Sequence, residues 1–252
     1  MDLNDKSVLV TGGTRGIGLA VARAFAARGA RVAMVYRGND DAARQAIDGM
    51  PGSGHISIRA DIAEPDQVER CVTEAIAELG AIDILVNNAG IGIYHPLEST
   101  SFADWQRAWQ QTLATNLIAP ANLCFHVARH MMSRGGGRIV NISSRGAFRG
   151  EPIKPAYGAS KAGLNALGQS LAVALAPHRI FVGTVAPGFV NTELAADRLN
   201  GPEGDEIRAQ SPLNRVAEPE DVAQAVLFLA APGTEFSTGT IIDVNGASYL
   251  RS

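Results

Sequence analysis

Short apolar runs alternate with stretches of helical periodicity along nearly the whole chain. Lys6-Ser7-Val8-Leu9-Val10 is the first run and reads as a buried strand. A helical pattern follows from Ile17 to Arg28, with Leu19, Val21, Ala22 and Phe25 on its apolar stripe and Gly29 at its C-terminal end. Six further strands are read at Arg31–Tyr36, His55–Arg59, Ile82–Val86, Arg138–Ile142, Ile180–Ala186 and Thr240–Val244. Helices are expected between them: one opening at Ala42, one from Glu64 to Leu79 with Pro65 in its first turn, and one long helix from about Ser101 to Met132. Two more carry Tyr157 through Ala176 and Glu220 to Ala230. This rhythm predicts an α/β fold, a single-domain Rossmann-like doubly wound parallel sheet of seven strands with helices on both faces, over residues 1–252. Only Asn191 to Asn214 reads as a long loop, and its Gly201, Pro202, Gly204 and Pro212 suggest a mobile lid.

Composition narrows the classes. A chain of 252 residues, 46% hydrophobic and 19% charged, can bury a sizeable core as one globular unit. A formal net charge of −3 gives no electrostatic reason to expect nucleic acid or a membrane surface as partner. Met1 to Lys6 lacks the features of a secretory signal, and no apolar run is long enough to span a bilayer. Cys71 and Cys124 have no metal-like spacing, so no metal is expected, and two isolated thiols in helices fit a reducing cytoplasm.

Candidate chemistry falls at the ends of the strands. Gly12, Gly16 and Gly18 stand between the first strand and its helix. A turn there needs positive φ, lets the backbone approach a pyrophosphate, and places that charge on a helix N-terminus. The second strand ends in Tyr36 and Arg37, and Arg15 sits within the glycine turn. Two arginines at that place suit the 2′-phosphate of NADP(H). Asp40 and Asp41 compete as acids for a ribose hydroxyl, although one of them is expected as a helix N-cap. Further on, Tyr157 and Lys161 lie four residues apart, on one face if helical, and Ser144 ends an apolar strand thirteen residues earlier. Lowering a phenol from about 10 to about 7 takes roughly 4 kcal/mol. One cation about 4 Å away, at an effective dielectric of about 20, supplies that amount. A hydroxyl beside it would orient the oxygen that receives the proton.

In order and spacing, Thr11-Gly-x-x-x-Gly-Ile-Gly18, Asp61-Ile62, Asn87-Asn-Ala-Gly90, Asn116, Ser144, Tyr157-x-x-x-Lys161, Pro187-Gly188 and Thr192 resemble the short-chain dehydrogenase/reductase family across essentially the whole chain. The resemblance implies a catalytic tetrad of Asn116, Ser144, Tyr157 and Lys161. Tyr157 would be the acid/base, Ser144 would hold the substrate oxygen, and Asn116 would hold a water in a proton relay. Lys161 would depress the Tyr157 pKa and bind the nicotinamide ribose. Cofactor contacts are implied for Gly12, Thr14, Arg15, Gly16, Ile17 and Gly18 in the glycine turn and for Arg37 beyond it. They are also implied for Asp61 and Ile62 at the adenine, for Asn88, Ala89 and Gly90 on the ribose side, and for Pro187, Gly188, Val190 and Thr192 near the carboxamide. The arginine pair resembles NADP(H)-preferring members, and the general likeness is to 3-oxoacyl-(acyl carrier protein) reductases.

The small-residue ridge Gly158, Ala162, Ala166 and Ser170 reads as facing either the sheet or a second subunit, and the resemblance implies a homotetramer in which the ridged helix packs against its twin. One departure stands out: Gly135 and His178 occupy positions where carrier-protein reductases often carry basic residues, with Arg134 and Arg179 next door. Arg145, Arg149 and Lys154 form a basic stretch read chiefly as a solvated loop, with contact to an anionic substrate as the other reading. A sugar, polyol or steroid alcohol dehydrogenase, a sugar-nucleotide epimerase and a cofactor-binding protein without turnover stay open as alternatives.

Overall fold

The computed structural model describes residues 3–251. Residues 1, 2 and 252 of the expected unit, including the first two of the N-terminal stretch, lie outside the described residues. Seven strands, β1 (Ser7–Thr11), β2 (Arg31–Tyr36), β3 (Ile56–Arg59), β4 (Ile84–Asn87), β5 (Gly137–Ile142), β6 (Ile180–Pro187) and β7 (Ile241–Val244), form one sheet. Its order is β3-β2-β1-β4-β5-β6-β7, and every neighbouring pair is parallel. The helices are α1 (Gly16–Ala26), α2 (Asp40–Asp48), α3 (Pro65–Leu79), α4 (Phe102–Leu113), α5 (Ala119–Ser133), α6 (Gly146–Arg149), α7 (Pro155–Leu175), α8 (Glu193–Leu199), α9 (Gly204–Ala209) and α10 (Pro219–Ala230).

Side chains alternate across the pleat, so each central strand feeds two cores. Val8 and Val10 join Val32, Met34, Val86 and Val185 under α1 and α10. Leu9 points the other way and joins Val35, Leu85, Ile139 and Val182 under α3, α5 and α7. Phe25 and Leu123 are fully buried on opposite faces, each worth about 1.5–3 kcal/mol of transfer from water. Cys71 and Cys124 fill the second core, where burial pushes both thiols up to about 12, so neither is a nucleophile at neutral pH.

Three expectations change. The long helix over Ser101 to Met132 is interrupted by a π turn at Ala114–Ile118 between α4 and α5. The wider turn accommodates Asn116, which is fully buried and bonded to the loop after β4. The N-cap of α2 is Asn39, whose side chain accepts from Ala42 N; Asp40 and Asp41 lie inside the first turn. Asn191 to Asn214 is not structureless but carries α8 and α9. Its two ends are stitched together, Asn191 N donating to Ala217 O at 2.8 Å and Ala217 N to Phe189 O at 3.0 Å. Among the described residues, no helix is long and apolar enough to cross a membrane, and no group of three metal-ligating side chains occurs.

Candidate active site

The chain runs outward from β1 through β2 to β3 and then returns to β4 on the other side of β1. The carboxyl ends of β1 and β4 therefore flank the crevice where open parallel sheets bind ligands. Thr11 ties the two ends together. Its Oγ1 accepts from Asn88 N at 3.0 Å and Ala89 N at 3.1 Å, and it donates to Val86 O. The Asn88 amide donates to Thr11 O at 2.9 Å and Gly12 O at 3.2 Å, so this side chain shapes the glycine turn from beneath. Gly12 and Gly16 hold φ of 62° and 52°, and a Cβ on Gly18 would collide with the Gly12 carbonyl. These positions tolerate glycine alone, which leaves bare backbone at the N-terminus of α1. Thr14 is buried and Ile17 half-buried beside it. On a Gly16 Cβ the nearest atom would be Thr192 Cγ2 at 3.4 Å, so the entry to the lid rests over the turn.

The donor set around this cradle fits a dinucleotide phosphate. Arg37 is exposed just past β2 and makes no ion pair among the described residues. Arg15 is exposed and pairs with Glu193 of α8 at 3.2 Å. Asp40, the rival ribose ligand, is engaged by the Tyr36 hydroxyl at 3.0 Å and Arg59 at 3.4 Å, and Asp41 pairs with Arg44 at 3.7 Å. Asp61 is half-buried, its Oδ1 accepting from Ala63 N, and Ile62 is buried beside it. Gly188 N donates to Val244 O at 3.0 Å. Together with buried Pro187 and Val190 it forms the far wall, where Thr192 Oγ1 donates to Val190 O.

The four residues of the expected tetrad converge at the ends of β4 and β5. Asn116 accepts from Ile91 N and donates to Ile91 O, both at 2.9 Å, and also donates to Ser160 Oγ at 3.1 Å. A Cβ on Gly90 would lie 3.3 Å from both Asn116 Oδ1 and Lys161 Nζ, so the turn after β4 is threaded between them. Lys161 is buried and donates to Ile142 O at 2.8 Å, and burial pushes its pKa down to about 8. The hydroxyl of Ser144 accepts from Gly146 N at 3.0 Å and lies close enough to the Tyr157 phenol to draw its pKa down.

The phenol itself departs from expectation. Burial pushes the Tyr157 pKa up, the Ser144 hydrogen bond pulls it down, and the charge of Glu151 pushes it up again. Lys161 does not bring it towards neutrality, because its ammonium is turned to the Ile142 carbonyl, 5.8 Å from the ring centroid. The nearer cation is Lys154, whose Nζ stands 4.6 Å from the Tyr157 ring centroid and 3.7 Å from Glu151.

Two of the three loop cations are not solvated. Arg149 is exposed, but Arg145 is 5% exposed and donates to Ser248 Oγ at 2.5 Å and Gln210 Oε1 at 2.6 Å. Its guanidinium lies over the Phe189 ring. Burial, and then the neighbouring charge of Arg149, push its pKa down to about 10. The Lys154 side chain is 19% exposed. A cavity of about 280 Å³ lies beneath the lid against Arg145, Phe189 and Ser248, but Ser144, Tyr157 and Lys161 do not line it. His95 carried no sequence signal. It is buried, and its Nε2 accepts from Ala156 N at 3.3 Å while its Nδ1 bonds Ile93 O at 2.8 Å, which orients the ring and pins the start of α7.

The surroundings of this site have known counterparts. A family model described as enoyl-(acyl carrier protein) reductase matches residues 12–247. L-rhamnose 1-dehydrogenase (NAD(P)(+)) of Azotobacter vinelandii is 37% identical, covering 100% of this chain and 99% of the relative. A 3-oxoacyl-[acyl-carrier-protein] reductase of Staphylococcus epidermidis is 34% identical, covering 98% and 100%. Among solved structures, a short-chain type dehydrogenase/reductase from Mycobacterium ulcerans superposes with a TM-score of 0.90 at 31% identity, over 98% of this chain and 91% of that one.

Proposed function

The chain belongs to the short-chain dehydrogenase/reductase family of oxidoreductases, and we propose that it uses NADPH to reduce a ketone of the 3-oxoacyl type, or a related activated carbonyl, to an alcohol. The observation that carries this reading is the convergence of Ser144, Tyr157, Lys161 and Asn116 at the ends of β4 and β5, with Gly90 between Asn116 and Lys161, beside a glycine cradle at the same end of the sheet. Arg15, Arg37 and the backbone of the glycine turn would hold the cofactor's phosphates, and NADPH, when bound, supplies the hydride. Tyr157 delivers the proton to the carbonyl oxygen, and Ser144 orients that oxygen. Lys161 would hold the nicotinamide ribose. The side chain of Asn116 is committed to Ile91 and Ser160, so contact with a relay water falls to its main chain.

Arg134 and Arg179 are exposed where β5 and β6 begin, at the edge of the sheet away from these residues. With Gly135 and His178 between them, we expect weaker dependence on a carrier protein than in dedicated fatty-acid enzymes. The test is a panel of β-ketoacyl thioesters, keto esters, diketones, sugars and steroids with NADPH and NADH, with Tyr157→Phe as the control. Activity on oxoacyl compounds, lost at least 10²-fold in Tyr157→Phe with NADPH binding retained, is the expected result. Turnover of sugars or polyols alone would sink the acyl reading.

A further inference from the structure

Two ammonium groups lie against Tyr157, and only one of them is spoken for. Lys161 is turned away to the Ile142 carbonyl. Lys154 is the N-cap residue of α7, three positions before Tyr157, and its Nζ stands over the ring face. Its stem runs beside Gly92. A Cβ there would come within 3.7 Å of both Lys154 Cδ and Tyr157 Cδ2, so the absent side chain leaves a slot between the loop after β4 and this ammonium. Glu151, whose carboxylate packs against Gly146, takes at most one of the three ammonium donors at 3.7 Å.

A second cation arrives from the lid. Arg198 on α8 lies 5.1 Å over the Phe189 ring, paired with Glu203 at 2.7 Å, and it is close enough for its charge to oppose that of Lys154. Arg145 stacks on the same ring. Besides Lys161, which the Ile142 carbonyl holds, the charged groups packed here are Arg145, Arg149, Lys154 and Arg198 against the carboxylates of Glu151 and Glu203. Cations in excess over carboxylates, with two of them largely out of water, carry a desolvation cost that a bound anion would relieve. The anion is not the cofactor's phosphate, because Arg15 and Arg37 stand at the ends of β1 and β2, whereas Lys154 faces Tyr157 and the lid. With Glu151 at its side, Lys154 suits a monoanion better than a dianion.

We propose that Lys154, backed by Arg198, determines substrate specificity by binding a free carboxylate a few atoms from the reacting carbon, so that the substrate is an oxo acid in reduction and the corresponding hydroxy acid in oxidation. This rests on Tyr157 as proton donor and narrows the acyl reading to the acid itself rather than its thioester. The experiment pairs 2-, 3- and 4-oxo acids with their methyl esters, assayed with NADPH on wild type, Lys154→Met, Lys154→Arg and Arg198→Gln. Wild type should favour one acid over its ester by at least 10-fold in kcat/KM, the scale of one charge-assisted hydrogen bond of about 1.5–3 kcal/mol. Lys154→Met should lower the acid at least 10-fold more than the ester, chiefly through KM, and Lys154→Arg should restore much of the difference. Arg198→Gln, on the lid surface, should lower the acid preference by a smaller factor. A wild type that prefers every ester overturns the proposal while leaving the reductase reading intact, and needs no variant. Equal losses on acid and ester in Lys154→Met overturn it as well, since Lys154 would then act on Tyr157 rather than on substrate. No turnover of any acid or ester here, nor of any thioester in the substrate panel above, with NADPH still bound, overturns the oxoacyl reductase reading and this proposal together.

Discussion

At the scale of single residues, the protonation of Tyr157 decides the direction in which the site works at a given pH. Burial holds the phenol above its usual range, so it is neutral at pH 7 and ready to donate. Lys161, at about 8, loses its charge first as pH rises. Reduction needs the protonated phenol, and a charged Lys161 to hold the ribose, so kcat/KM for reduction should be flat near pH 7 and fall above about pH 8. Oxidation needs the phenolate, which the raised phenol yields in growing fraction as pH rises, and the same charged Lys161, so it should rise up to about pH 8 and level off above it. Profiles in both directions check this, and a reduction rate that climbs from pH 7 to 9 would reverse the assignment. The spacing of Ser144, Tyr157 and Lys161 was legible because a strand end and a helical i, i+4 pair are local patterns. The burial of Arg145 and Lys154 was not, because Phe189, Gly92 and the lid that cover them come from elsewhere in the chain.

At the scale of elements, the end of β2 sets cofactor choice. Asp40 is held by Tyr36 and Arg59, Asn39 caps α2, and Arg37 is left without an ion pair among the described residues. Arg37→Ala should cost roughly 10- to 100-fold in affinity for NADPH and little for NADH, read by fluorescence titration with each cofactor. A wild type that prefers NADH would hand the ribose to Asp40 or Asp41 and overturn this reading. The π turn makes a separate prediction. Asn116→Ala removes the two bonds to Ile91 and leaves that half-buried backbone without its side-chain partner, which should destabilise the fold by about 1–3 kcal/mol in denaturant unfolding. An unchanged midpoint would mean that the loop holds without it. All seven strands were visible in the apolar pattern to within a few residues, because a parallel sheet buries both faces. The π turn was invisible because one extra residue leaves helical periodicity intact on either side. The lid helices were missed because α8 and α9 are short and interrupted by Gly201 and Pro202.

At the scale of the whole molecule, the sheet satisfies its own faces, but large apolar side chains remain exposed, several of them on α7 and the helices beside it. Ala162, Ala166 and Ser170 of the small-residue ridge are exposed, whereas Gly158 is buried against the carbonyl of Gly146. The ridge therefore does not face the sheet. Val173 continues it at 79% exposure, and Phe102, Ile118 and Phe125 are exposed around α4, the π turn and α5. Large exposed side chains grouped on neighbouring helices mark association surfaces, and small residues between them allow close backbone approach. We expect light scattering to give an assembly of four times the 26.4 kDa chain. Val173→Glu would place a charge in an apolar contact, whose burial without a partner costs several kcal/mol. That variant should therefore fall to a smaller species while keeping its circular dichroism. If wild type elutes as a monomer at micromolar concentration, or Val173→Glu stays fully assembled, α7 is not the contact. The exposed ridge would then be a solvated face.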